Sequence, residues 1–498
     1  MRTPRVAIIG AGQSGVGMGA RLRRAGIDTF RIYEMRAGIG GTWHANAYPG
    51  LFCDVPSRSY QYKFAPNPDW SRLFSPGPEI RAYIEQVARD HDLPRNISFD
   101  TEVETVTWRD TEWEVRTTTG DTEAFDFVIT AAGALVRTRT PAIEGLESFA
   151  GRRFHSAEWE QDAELAGKRV AVIGTGSTGM QLTRAIGPIA SKFELFQRTP
   201  QWVLPLINIP YGPVAKRIMR RFPFANQFAY RFWQRVTEGT FGVAVIKAGW
   251  QRRLIAALCR AHLHVIRDPD LRRRMTPDYL PGCKRLVMGG GFYQQFRRST
   301  VSLVDTPIDR IEPRGIVTAD GVLHEQDVIV MATGFSTNRY VLPVEFVGLG
   351  GTRLTDRWNP QPEAYRTVAV PGFPNVFMLI GPHSPFGNQS LFTISETQAD
   401  FAMGWIEGWQ RGEFDTVAPT EAATEAFNRD LRDALPGTIW TTGCDSWYIG
   451  ADGLPAMWPW PPDRHAEMLA QPELGHWSME RVNGHEQRQR AEHVEGRS

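Results

Sequence analysis

The sequence predicts an α/β fold of two Rossmann-like dinucleotide-binding domains with a helical insertion, and three observations lead there. A glycine-rich turn follows each of two apolar runs, the strands downstream of the two turns end differently, and a long stretch rich in arginine and phenylalanine interrupts the second unit. The turns are Gly10-Ala11-Gly12-Gln13-Ser14-Gly15, entered from Val6-Ala7-Ile8-Ile9, and Gly174-Thr175-Gly176-Ser177-Thr178-Gly179, entered from Val170-Ala171-Val172-Ile173. In such a turn the first glycine permits the tight bend, the second lets the backbone approach a pyrophosphate, and the third allows close packing of helix on strand. The phosphates then rest on the positive end of a helix. One such turn is weak evidence; two, each entered from an apolar strand, lead us to expect a chain that holds two dinucleotides at once.

The segments downstream of the two turns distinguish the two ligands. After the first turn, Val16 to Gly26 reads as a helix and Thr29-Phe30-Arg31-Ile32-Tyr33-Glu34 as a strand ending in a carboxylate. Glu34 can accept hydrogen bonds from two ribose hydroxyls, which suits FAD or NAD, while its charge repels a 2′-phosphate. After the second, the strand Phe193-Glu194-Leu195-Phe196 runs into Gln197-Arg198-Thr199-Pro200. Arg198 and Thr199 put a guanidinium and a hydroxyl where the acid would be, as expected for NADPH. Either strand end alone is compatible with plain solvation; the opposed pair is the specific signal.

Composition agrees with a large globular enzyme. At 498 residues the length prior is about three domains, and 42% hydrophobic with 22% charged residues is ordinary. A formal net charge of +1 supplies no field for nucleic acid or an anionic membrane, so neither is expected as a partner, and no protein partner is indicated. Arg252-Arg253 and Arg272-Arg273-Arg274 read as a solvated helical face. The first strand starts almost at once and no apolar stretch is long enough to span a bilayer, so a cytoplasmic protein is expected. Cys53, Cys259, Cys283 and Cys444 are widely separated without a CxxC pair, which argues against a disulfide framework, a zinc site or a redox dithiol.

The organisation reads as one domain interrupted by another. Residues 1–140 carry the first part of the FAD domain, closing with Phe127-Val128-Ile129-Thr130-Ala131-Ala132-Gly133. Residues 141–210 hold a linker and the first part of the NADP domain, residues 211–275 a helical insertion, and residues 276–330 the second part of the NADP domain. The strand Asp327-Val328-Ile329-Val330-Met331-Ala332-Thr333-Gly334-Phe335 returns the chain to the FAD domain, residues 331–482. The insertion is expected either to cover a substrate pocket or to serve as a packing module. Residues 483–498 are polar, charged and aperiodic, and are expected to be disordered.

Two further patterns carry a family resemblance. Phe149-Ala150-Gly151-Arg152-Arg153-Phe154-His155-Ser156-Ala157-Glu158-Trp159-Glu160 resembles the fingerprint of the type I Baeyer–Villiger monooxygenases, with Glu160 where proline or aspartate is usual. Trp159 favours that group over the amine- and sulfide-oxidising flavin-containing monooxygenases, which share the histidine. A second family pattern is met in full by Gly41-Thr42-Trp43, Tyr48-Pro49-Gly50 and Asp54. Together the matches run from Val6 to about Tyr448.

The resemblance implies roles for these residues. Gly41, Thr42, Trp43, Asp54, Tyr60, Val103 and Leu391 join Gly10, Gly12, Ser14, Gly15 and Glu34 at FAD, with Trp43 part of the pocket wall. Lys284-Arg285, before Gly291-Phe292-Tyr293, joins the second turn, Arg198 and Thr199 at NADP. Arg285, with Asp54 as its bidentate partner, is the catalytic candidate, stabilising a flavin peroxide anion and then the tetrahedral adduct. His155 reads as a hinge or packing residue before a catalytic one. Gly381-Pro382-His383-Ser384-Pro385, the helix start near Leu391, Ser446-Trp447-Tyr448 and Gly450-Ala451 also match, whereas Gly453-Leu454-Pro455-Ala456-Met457-Trp458-Pro459-Trp460 departs from the ketone oxidisers at the loop that folds over substrate.

The expected activity is an FAD-dependent monooxygenase, consuming NADPH and O2, that converts a ketone to an ester or lactone through a peroxyflavin. Two alternatives stay open: oxygenation of sulfur or nitrogen in a small molecule, and a non-catalytic NADP-sensing flavoprotein. Neither the ketone nor the oligomeric state is legible.

Overall fold

A computed structural model describes residues 2–385 and 387–481; the tail expected to be disordered, 483–498, lies outside the described residues. Two five-stranded sheets, parallel throughout, organise the chain. In the first, the order is Val376–Met378, Phe127–Thr130, Val6–Ile9, Phe30–Tyr33, Ile97–Ser98, with Val6 opposite both Phe30 and Phe127. In the second, it is Val301–Val304, Lys192–Phe196, Arg169–Ile173, Val328–Met331, Arg152–His155. The central strands are buried along their apolar runs, as expected of a parallel sheet covered on both faces. Each glycine turn sits at the carboxyl end of the strand where neighbours on either side run off in opposite directions, the crevice in which doubly wound sheets take ligands.

The first of the two helices starts earlier than the hydrophobic pattern indicates, at Gln13 rather than Val16. The first runs Gln13–Arg24 and the second Ser177–Ile186, because the last residues of each glycine turn already form the first helical turn. Gln13–Arg24 packs with Gly77–Asp90 and Leu391–Gln410 around Met18, Leu22, Ile84, Val87, Phe392 and Ile406. An antiparallel ribbon of Val103–Arg109, Glu112–Thr117 and Thr122–Phe125, with Glu345–Val347 alongside, flanks the first sheet.

The insertion is helical: Pro213–Arg221, Pro223–Thr237, a π turn over Glu238–Gly242, Val243–Ile246, Trp250–Leu263 and Pro269–Arg274. Two expectations from the sequence fail in this region. Arg252 is not part of a solvated face; it is half-buried and its Nε donates to the Ala244 carbonyl at 2.8 Å. Cys283 and Cys444, 161 residues apart, form a disulfide, because the chain's return folds the Cys444 segment against the loop after the insertion. Spacing along the chain carries no information about such a contact. Cys53 and Cys259 are free and buried.

Candidate active site

Both glycine turns open on one cavity of about 2000 Å³, larger than the roughly 300–1,000 Å³ of an ordinary small-molecule site. Gly10, at φ +108°, is pressed so close to Ala131 that a Cβ would stand 2.5 Å from its carbonyl oxygen. A Cβ on Gly15 or Gly179 would collide with the carbonyl of Gly10 or Gly174, so these third glycines bring the helix onto its strand and are absent from the cavity wall. Gly12 and Gly176 line the cavity as N-caps, with Ser14, Gly174, Thr175, Ser177 and Thr178 beside them. Neither helix has a capping side chain or an acidic residue in its first turn. Their unpaired N–H groups and positive ends are therefore left for phosphate oxygens.

The two strand ends differ as their residues demand. Glu34 is buried; its Oε2 accepts from the Ala11 N–H at 2.8 Å and its Oε1 from the Arg36 N–H at 3.0 Å. Burial raises its pKa, opposed by those two hydrogen bonds, and its remaining lone pairs face the cavity, where a ribose diol would donate. Arg198, by contrast, is exposed, lines the same cavity and makes no ion pair among the described residues. Lys284 shares that space: its ammonium, 4.9 Å from the Tyr279 ring, has its pKa lowered chiefly by burial, with Asp445 pulling it up and Arg198 pushing it down. The two cations, neither of them in an ion pair among the described residues, fit a 2′-phosphate. Thr175 Oγ1 donates to the Thr199 carbonyl at 2.8 Å, tying the turn to the strand end.

Between the two turns the second motif joins the sheets. Tyr48 Oη donates to Gln181 Oε1 at 2.8 Å, and Gln181 Nε2 donates to the Phe52 carbonyl at 3.0 Å, so this step grips the Ser177–Ile186 helix. Gly50, at φ +83°, lets the backbone approach that helix, where a Cβ would stand 2.9 Å from Ala185. Asp54 comes directly after. Both its oxygens take Arg285 Nη2, at 3.1 and 3.0 Å. The bidentate fork implied by the resemblance is thus corrected: one nitrogen, Nη2, spans the carboxylate, and Nε and Nη1 take no part in that contact. Asp54 raises the Arg285 pKa above its already high ordinary value, against the opposing effect of burial, so the guanidinium is charged at every working pH.

Around this pair, the Trp43 indole N–H donates to Tyr60 Oη at 3.2 Å and the two rings meet edge to face at 5.7 Å. Gly41, Thr42, Trp43 and Tyr60 line the cavity, as do Val103, at the start of its strand, and Leu391, at the start of its helix. His155 does not reach it. Its Nδ1 accepts from the Ala157 N–H at 3.1 Å on the edge strand of the second sheet, burial lowers its pKa, and its ring packs against Phe335. Trp159 packs edge to face on Phe154. The fingerprint is therefore architecture beside the site rather than its wall.

Some cavity residues were not assigned from the sequence. Tyr448, matched but given no role, is buried next to Arg285, which partly offsets the effect of burial on a phenol pushed up to about 12. Asp445, Trp447 and Asn388 also line the cavity, and from the insertion so do Trp233, Phe241, Val245 and Ile255. The departing segment after Asp452 lies elsewhere: Trp458 and Trp460 pack on Phe427 in the core, and the Cys283–Cys444 bond holds the Asp445–Tyr448 wall to the loop that carries Arg285.

Residues 3–267 match the model of the flavin-binding monooxygenase-like family. The chain is also 36% identical over 454 residues to a Baeyer–Villiger monooxygenase of Pseudomonas aeruginosa, covering 89% of this chain and 85% of that one. The chain belongs to the Baeyer–Villiger group of the flavin-binding monooxygenases. A monooxygenase of Mycobacterium tuberculosis named only as uncharacterized is 49% identical over 469 residues, 94% of each chain. Among solved structures, cyclohexanone monooxygenase from Rhodococcus sp. Phi1 bound to NADP+ superposes with a TM-score of 0.87 at 28% identity, over 96% of this chain and 99% of that one. Membership in the family makes FAD and NADP the cofactors of this chain.

Proposed function

We propose that this monooxygenase binds FAD at the first turn and NADPH at the second and inserts one atom of dioxygen next to the carbonyl of a ketone, giving an ester or lactone. The observation that carries the reading is the Arg285–Asp54 pair, set where both nucleotide units and the insertion face one cavity. When bound, the flavin, reduced by NADPH, supplies oxygen activation, and every other element of the reaction falls to the chain. Asp54 anchors Arg285 through Nη2 and leaves Nε and Nη1 to donate to an oxygen that gains negative charge as the carbonyl is attacked. Because that charge exists only in the transition state and the species next to it, the donors accelerate the chemistry rather than merely tightening binding.

Glu34 orients the flavin nucleotide through its ribose, and Arg198 with Lys284 retains the phosphate of the nicotinamide nucleotide. Trp233, Phe241 and Val245 turn apolar surface from the insertion into the cavity, which excludes water from the reacting groups. The division of the chain into an FAD domain interrupted by an NADP domain and its insertion forms part of this proposal. The test is a mass-spectrometric product screen of the FAD-loaded protein with NADPH and cyclic, linear and aryl ketones. Oxygen insertion into a ketone supports the reading; turnover confined to sulfides or amines overturns it.

A further inference from the structure

We propose that the outer face of the helical insertion, residues 213–263, is a docking surface for an anionic phospholipid bilayer. The inner side of Pro223–Thr237 is well satisfied: Tyr230 Oη shares a hydrogen bond with Thr393 Oγ1 at 2.6 Å, and Asn226 Oδ1 accepts from Arg58 Nη1 at 3.1 Å. The outer side has no such cover. Phe224, Phe228, Phe232 and Val236, four residues apart and therefore on one helical stripe, all face solvent, with Phe224 70% and Phe228 71% exposed. The neighbouring helices repeat the pattern: Val214 and Ile218 on Pro213–Arg221, then Trp250, Leu254 and Leu258 on Trp250–Leu263. Three helices of one insertion that each expose an apolar stripe exceed the scattered apolar residues of an ordinary surface.

Charge identifies what covers these stripes. Residues 213–263 contain ten Lys and Arg and a single carboxylate, Glu238, whereas the whole chain carries only +1; the overall sum that argued against a membrane conceals a strongly segregated charge. Apart from Arg220 with Asp69, none of these cations forms an ion pair among the described residues. Arg217, Arg221, Arg231 and Arg235 flank the stripes in the open. Aromatic side chains framed by arginine, on helices lying along the surface, fit the headgroup layer of a bilayer rich in acidic lipid. A second copy of the chain would bring two positive faces together. No helix among the described residues is long and apolar enough to cross a membrane, so the contact is one of surface docking. The stripe also runs into the cavity: Val236 and the exposed Ile207 both line it.

The test uses the full-length, FAD-loaded protein in co-sedimentation with vesicles of phosphatidylcholine alone or mixed equally with phosphatidylglycerol. Expected is binding to the acidic vesicles, weaker by about tenfold or more on neutral ones and in high salt. Phe224→Ser with Phe228→Ser, and separately Arg217→Glu with Arg221→Glu, are each expected to weaken it by about tenfold or more while flavin content and the rate of NADPH oxidation hold. Should the phenylalanine pair prevent folding, the arginine pair and the salt titration of the unaltered protein decide. Absence of binding to acidic vesicles, binding indifferent to both pairs, or a concentration-dependent dimer that these substitutions dissolve without any vesicle binding would each overturn the proposal.

Discussion

The two nucleotide units share a backbone and differ at one strand end. Each has a parallel strand, a glycine turn whose third glycine presses helix on strand, and an uncapped helix start facing the same cavity. Yet the first ends in Glu34, buried and held by two backbone N–H groups, and the second in Arg198, exposed and without an ion pair among the described residues. On the proposed reading, the turn supplies generic affinity for a pyrophosphate, while the strand end selects the nucleotide. The contrast in burial fits the two tasks proposed for them, a resident group gripped by a rigid carboxylate and an exchanging one met by a solvent-exposed guanidinium.

The largest effects come from closing each turn. A Cβ on Gly176 would meet no protein atom within 4 Å and one on Gly12 only Gly41, at 3.5 Å, so valine at either place competes with ligand rather than with the fold. Gly12→Val is expected to purify colourless, without flavin, and Gly176→Val yellow but unable to saturate with NADPH. If flavin content fell equally in both, the assignment of the turns would fail. Next is Arg285→Ala, where the two units meet. It is expected to keep FAD and oxidise NADPH while oxygenated product per NADPH falls by about 10²-fold or more, hydrogen peroxide appearing instead. Normal coupling, measured with peroxide in the same tube, would remove the residue from the chemistry.

Arg198→Ala is expected to weaken NADPH by about 2 kcal/mol, roughly 30-fold, and NADH hardly at all. Equal losses for the two cofactors would contradict the strand-end rule. The smallest effect on function belongs to Cys444→Ser. Opening a cross-link of long sequence separation costs about 2–4 kcal/mol of stability, read as a lower denaturant midpoint, with nucleotide preference unchanged. A change in preference would show that the Asp445–Tyr448 wall helps choose the nucleotide.

Local features are legible in the chain because local backbone geometry produces them. A glycine turn after an apolar run, Glu34 and Arg198 at the ends of the next strands, and the helical period of the insertion each arise from a few consecutive residues. The first helix begins three residues before Val16, where the hydrophobic pattern places it, because turn and helix overlap. His155 and Trp159, conspicuous in sequence, pack at the edge of the second sheet, whereas Tyr448, inconspicuous, lies next to the Arg285–Asp54 pair.

The sequence by itself determined an α/β fold with two parallel sheets, two glycine turns and strand ends of opposite charge, since these rest on neighbours along the chain. Only the tertiary structure decided that Asp54 meets Arg285 through a single nitrogen, that Cys283 joins Cys444, and which side of the insertion looks into the cavity and which to solvent. Those contacts join residues far apart in sequence. Their existence depends on how packed elements return to one another, a property that no window of consecutive residues contains.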